Sequence, residues 1–192
     1  MRFLFILLVS ACTLGGDAIP DAARREMLVD LAGAKHMPLD ATNAKATVLI
    51  FTTTDCPVAN YFTSEINAIV KDHAKKPVRF FIVHVDPELT PKDAAAHAKE
   101  YGFIAPVLLD KTHRLVRATG ATITPEAVVI TPDGKIAYRG RIDDRYVELG
   151  KRRPEPTRRD LREALSAVLA DQPVKTPRTK AIGCPIPEAT AK

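Results

Sequence analysis

Three cysteines and five histidines are the side chains of this 192-residue chain with the most obvious capacity for redox or metal chemistry. Cys12 lies near the N-terminus, Cys56 follows an apolar run, and Cys184 sits in a proline-rich C-terminal stretch. Cys56 ends a predicted strand and begins a predicted helix. The first N–H groups of a helix lack internal partners and its dipole is positive there, so a thiolate is stabilised over a thiol. The thiolate is the form that exchanges disulfides, attacks peroxides and binds metals. Pro57 fits the first helical position, which needs no N–H. Asp55 opposes the effect by placing a negative charge beside the sulfur. The competing reading of Cys56 is an inert cysteine packed as a small hydrophobe.

The histidines His36, His73, His84, His97 and His113 show no tight metal-ligand spacing with one another or with cysteine. His73 and His97 fall on helical segments among Lys and Ala and are expected to face solvent. His84 is on a central strand and points either to the site or into the core. Thr124-Pro125 precedes a buried strand, where Pro has a positional reason only if it shapes a turn. Two readings stand: a cis-Pro loop facing Cys56, or an ordinary trans strand start.

The elements that position these residues follow from periodicity. Ala46–Thr52 and Val78–Val85 read as buried strands. Phe62, Ile66, Ile69 and Val70 recur at helical spacing after Pro57. Thr90-Pro91-Lys92-Asp93 is a capped helix start, and that helix stops at Gly102. A short strand is expected at Val107–Asp110 and a short helix at His113–Ala118. Ala127–Thr131 and Ile136–Arg141 are strands joined by Pro132-Asp133-Gly134-Lys135, a strong turn signal. Leu161, Ala164, Leu165, Val168 and Leu169 mark a final helix. The order β-α-β-α-(β/α)-β-β-α predicts an α/β fold, a central mixed sheet flanked by helices with a C-terminal antiparallel hairpin and helix. Met27–Leu39 has a hairpin-like reading around Gly33-Ala34-Lys35. The charged group Arg139, Arg141, Asp143, Asp144 and Arg145 is expected on an exposed, salt-linked edge.

Composition bounds the rest. Apolar residues make up 46% and Trp is absent, so one domain with an aliphatic core is expected. The net charge of +5 is concentrated at Lys151–Arg162 without interleaved aromatics, which argues against a nucleic-acid surface and for a solvated basic face. Arg2, the apolar run Phe3–Val9 and the small residues after it read as an export signal over 1–18, too short for the ~20 residues of a membrane span. Val9-Ser10-Ala11-Cys12 also resembles a lipobox, which implies a lipid anchor at Cys12. Leu14–Ala22 reads as a linker, 23–170 as the domain and 171–192 as an extended tail. An exported location is periplasmic or extracellular, where an oxidising environment permits a disulfide.

The stretches FTTTDCPVA (Phe51 to Ala59), Thr124-Pro125-Glu126 and VVITPDGKIAYRGRIDD (Val128 to Asp144) carry a resemblance to the thioredoxin-like superfamily. Within it they are similar to the exported redoxin branch related to alkyl hydroperoxide reductase and thiol-specific antioxidant proteins. The resemblance covers roughly Val29 to Leu169. It implies that Cys56 is the nucleophile, that Pro125 is cis, and that Pro57, Thr124 and Pro125 form the surface met by a partner thiol or polypeptide. It implies no bound organic cofactor. Thioredoxins have a second cysteine where this chain has Ala59, so a local dithiol is impossible. Thr53 matches a peroxiredoxin threonine three residues before the cysteine. Leu49 stands where those enzymes have Pro, and no Arg falls near Pro125 or Glu126.

Cys184 is the remaining candidate partner. Gly183 before it lends backbone freedom, and closing a long loop costs little more than closing a short one. It is read as a resolving thiol for Cys56, as half of a static disulfide, or as an unpaired or intermolecular thiol; a bond requires the two Cα atoms to come within ~7 Å. Three functions follow: a thiol-disulfide oxidoreductase acting on protein thiols, disulfides or a redox partner protein; a binding module; or a peroxidase. The binding module includes a Cu(I) site from Cys56, Cys184 and His84, similar to Sco-type copper chaperones.

Overall fold

The computed structural model describes residues 18–189. The expected leader and Cys12 lie outside the described residues, apart from position 18. The helices are α1 (Asp21–Arg24), α2 (Pro57–Asp72), α3 (Pro91–Glu100), α4 (Arg114–Thr119) and α5 (Asp160–Leu169). The strands are β1 (Leu28–Val29), β2 (Lys35–His36), β3 (Ala46–Thr52), β4 (Val78–His84), β5 (Val107–Leu109) and β6 (Ile123–Thr124). They continue with β7 (Glu126–Ile130), β8 (Ile136–Gly140), β9 (Tyr146–Glu148), β10 (Lys151–Arg152) and β11 (Cys184–Pro185).

Every residue of β3 is buried, because β3 is the middle strand of a five-stranded sheet ordered β5-β4-β3-β7-β8. β3, β4 and β5 are parallel, while β7 and β8 run antiparallel. Side chains alternate across a strand, so β3 feeds two cores. Val48 and Ile50 join Phe62 and Ile66 of α2 and Leu161 and Leu165 of α5 on one face. Leu49 and Phe51 join Leu115 of α4, Leu39 and Ile19 on the other. This is the α/β fold expected, with a central mixed sheet between helices. Gly120 ends α4 in the left-handed conformation, and the turn Pro132–Lys135 joins β7 to β8.

Four expectations are corrected. The described part of the segment read as a linker, residues 18–22, is tied to the domain: Ile19 is buried and donates its N–H to the Gly134 carbonyl at 2.9 Å. The tail beyond α5 is not a free arm. The Arg139 N–H reaches the Pro177 carbonyl at 2.9 Å, and the Thr179 hydroxyl meets the Tyr138 hydroxyl at 2.6 Å and accepts the Arg141 N–H at 3.1 Å. His73 and His97 are buried rather than solvent-facing. His73 ends α2, its ring 2.7 Å from the Ile69 carbonyl, and α3 packs His97 inward.

The fourth correction concerns the charged group after β8. Asp143 and Asp144 are buried, and Arg139, Arg141 and Arg145 are half-buried, so this is not an exposed edge. The region is an irregular crossing into β9 that leaves backbone N–H groups to be satisfied. Asp144 accepts the N–H groups of Thr157 at 2.7 Å and Arg158 at 2.9 Å, and the Thr157 hydroxyl. Burial raises the Asp144 carboxyl, but these hydrogen bonds and the Arg153 charge outweigh it and bring it down to about 2. A carboxylate depressed in the folded state adds stability above its unfolded pKa and loses it as pH falls through the folded value. Asp144→Asn is therefore expected to cost about 1–2 kcal/mol at neutral pH. The variant's deficit should shrink between the unfolded value of 3.8 and about 2. Urea unfolding across a pH series checks both.

Candidate functional site

Cys56 closes the step from β3 into α2. It is the N-cap of α2 in an extended conformation, with Pro57 at the first helical position. Its sulfur accepts the Ala59 N–H at 3.4 Å, so one of the helix's unpaired donors is spent on sulfur. The thiol in turn donates to the Thr124 carbonyl at 3.0 Å. Cys56 has 0% of its surface exposed.

The Thr124–Pro125 peptide is cis. The loop it forms is held by Glu126, whose carboxylate accepts the Thr122 N–H at 2.8 Å. β6 lies in this loop, and its partner is the C-terminal strand β11, paired antiparallel with Cys184 opposite Thr124 and Pro185 opposite Ile123. The Ile186 N–H extends the ladder to the Thr122 carbonyl at 3.0 Å. Gly183 is required here for close approach, not for freedom of the tail. A Cβ at that position would stand 1.9 Å from the Thr124 carbonyl oxygen.

This strand pairing brings Cys184 onto Cys56. Both are free thiols, and Cys184 packs against the core cluster that contains Cys56 while lying opposite Thr124, whose carbonyl accepts the Cys56 thiol. Cys184 is half-buried and keeps part of its surface in solvent. Burial pushes its thiol up to about 11, reinforced by contact with the Cys56 sulfur and by the charges of Cys56 and the exposed Asp55.

The structure thus gathers Cys56, Pro57, Thr124, Pro125 and Cys184 in one place. Thr53 is buried three residues before Cys56, but its hydroxyl is not among the hydrogen-bond partners of the Cys56 sulfur. His84 does not complete a metal set with the two cysteines. It pairs with His97, ring centroids 5.0 Å apart, and among the described residues no group of three or more His, Cys, Asp or Glu is placed to hold a metal ion. Neither His84 ring nitrogen has a hydrogen-bond partner among the described residues. Burial, with a smaller effect from His97, brings the imidazole down to about 3, so His84 is neutral at physiological pH.

Two residues beyond the sequence reading position the site. Asn60 donates to the Thr54 carbonyl at 2.9 Å and accepts from the His97 ring at 3.0 Å, tying the loop before Cys56 to α3. Its signal in the sequence was a lone amide in the first turn after Cys56. Glu126 was visible only as an acid at a strand start.

A thioredoxin-like fold with a cysteine at the head of α2 and a cis-proline loop facing it defines the class. Residues 14–150 match the Redoxin family model, and the chain belongs to the redoxin family. A hypothetical protein from Sinorhizobium meliloti 1021 is 25% identical, with a TM-score of 0.77 and coverage of 92% of this chain and 95% of that one. An uncharacterized conserved protein from Geobacillus kaustophilus is 26% identical, with a TM-score of 0.75 and coverage of 92% and 93%. A putative thiol:disulfide interchange protein DsbE from Chlorobium tepidum shares the fold at 21% identity, with a TM-score of 0.60 over 80% and 96%. A comparison with curated proteins finds no match.

The Gly183 contact yields a direct test of the docked tail. Gly183→Val is expected to cost about 1–3 kcal/mol through overpacking. It should also remove hydrogen-exchange protection from the Ile186 amide while leaving β3 and β4 amides protected. Unchanged protection at Ile186 would show that the tail is held without this approach.

Proposed function

We propose that the chain is an exported thiol-disulfide oxidoreductase whose redox pair is Cys56 and Cys184. The observation that carries this reading is the meeting of both cysteines at the cis-proline loop: Thr124 accepts the Cys56 thiol and lies opposite Cys184, which packs against the cluster holding Cys56. The redoxin family and the fold shared with the Chlorobium tepidum protein support the reaction class. The apolar run Phe3–Val9 behind Arg2 supports export. Among the described residues no helix is long and apolar enough to cross a membrane.

Cys56 is the nucleophile and acts as its thiolate. Because it is buried, it meets a partner disulfide when β11 lifts from β6. It attacks one partner sulfur, the partner's other sulfur leaves as a thiolate, and a mixed disulfide through Cys56 results. Pro57, Thr124 and Pro125 then border the partner. Return of the tail brings Cys184 to the Cys56 sulfur; its thiolate attacks, the partner leaves reduced, and Cys56–Cys184 is the product.

The high value of the Cys184 thiol slows resolution, because the thiolate is the attacking form. Burial keeps it protonated in the dithiol state, and the contact with Cys56 and its charge add to this. Once Cys56 is in a mixed disulfide it can no longer be a thiolate, and that part of the rise disappears. The Thr53 hydroxyl is not a hydrogen-bond partner of the Cys56 sulfur, so the peroxidase reading has less support. Purified Cys184→Ser protein, incubated with a protein disulfide, should accumulate mixed disulfides through Cys56, and Cys56→Ser should not. Equal trapping by both variants, or by neither, would contradict the assignment.

A further inference from the structure

We propose that the oxidised pair takes its electrons from a small monothiol that attacks Cys184, with Cys56 as the leaving group. The inference rests on the exchange reading above and assigns the returning half of the cycle to a different sulfur and a different class of partner.

A Cys56–Cys184 disulfide changes what holds the tail. In the dithiol state β11 is held on β6 without a covalent bond, by the two-residue ladder, the Ile186 N–H to Thr122, the Thr124 hydroxyl to the Cys184 carbonyl at 3.4 Å, and the packing of Cys184 and Ile186 on the core. Such a pairing opens locally. In the disulfide state Cys184 is bonded to the head of α2, so the strand cannot leave. The edge of β6 is then filled by the chain's own backbone, with Gly183 against the Thr124 carbonyl. An extended polypeptide has no free edge to pair with there.

Access then separates the two sulfurs. Cys56 is fully buried under the cis-proline loop and the tail, while Cys184 retains contact with solvent. Leaving-group stabilisation points the same way, because the thiolate better stabilised in place leaves faster. The Cys184 thiol is pushed up to about 11, chiefly by burial, whereas a departing Cys56 sulfur receives the Ala59 N–H at the start of α2.

The steps balance. A monothiolate RS⁻ attacks the Cys184 sulfur, the Cys56–Cys184 bond breaks, and Cys56 departs with the electron pair as a thiolate. A second RS⁻ attacks the R sulfur of the Cys184 adduct, giving RSSR and a Cys184 thiolate that takes a proton. Two monothiols are oxidised and one protein disulfide is reduced.

The experiment uses the full chain, oxidised to the Cys56–Cys184 disulfide, and reduced glutathione as the probe. The reaction is acid-quenched at early times, free thiols are blocked, and the adduct is mapped by peptide mass spectrometry. Glutathione is expected on Cys184 in about tenfold or greater excess over Cys56, given the access and leaving-group differences. Adducts mainly on Cys56, or equally on both, would overturn the proposal. Failure of the disulfide to form in the first place would instead defeat the exchange reading, before any glutathione is added.

Discussion

The pairing of the C-terminal strand with the cis-proline loop is the constraint on which the site depends. Thr124 is its centre: its carbonyl accepts the Cys56 thiol at 3.0 Å, its residue lies opposite Cys184 in the ladder, and its hydroxyl reaches the Cys184 carbonyl. One residue thus relates two cysteines that are far apart in sequence. Without β11 on β6, Cys56 would be a single thiol at a helix head with no partner, because Ala59 occupies the position of a nearby second cysteine. The close approach at Gly183 and the anchoring of Thr179 to Tyr138 and Arg141 hold the tail to this path.

Burial gives the two thiols unequal parts. Cys56 is enclosed by β3, α2 and the loop, and its hydrogen bonds to Thr124 and from Ala59 use the protein's own backbone rather than water. Cys184 sits at the rim, where desolvation and the nearby sulfur hold it as a thiol. The supporting shell is polar but neutral. His84 is kept uncharged by burial, and Asn60 bridges the Thr54 carbonyl and His97. The exposed Asp55 is a charge acting on Cys184, and the helix start is a positive feature at Cys56.

Much of the fold was legible because β3 and β4 are short, apolar and β-branched or aromatic, and because Thr90 and Pro91 punctuate α3 clearly. The Pro132–Lys135 turn fixed the β7–β8 hairpin. The head of α2 was legible for the same local reason: Cys56 and Pro57 are adjacent. What escaped were features set by residues distant in sequence. The tail looked free because Pro and Gly carry no hydrophobic period, yet its backbone pairs with β6 and β8. Gly183 suggested freedom, while its role is to admit the Thr124 carbonyl. His97 looked exposed among Lys and Ala, but its helix turns it toward His84. Asp143 and Asp144 read as surface charge, although Asp144 satisfies backbone groups some thirteen residues later in the chain.

The most direct measurement is the thiol-disulfide equilibrium of Cys56 and Cys184 in a dithiol redox buffer, followed by mass shift on thiol blocking. A working pair should equilibrate readily, with a potential between roughly −270 and −120 mV, the range spanned by exchange proteins. Two thiols that never pair, or a disulfide that resists reduction below about −300 mV as structural disulfides do, would contradict the account.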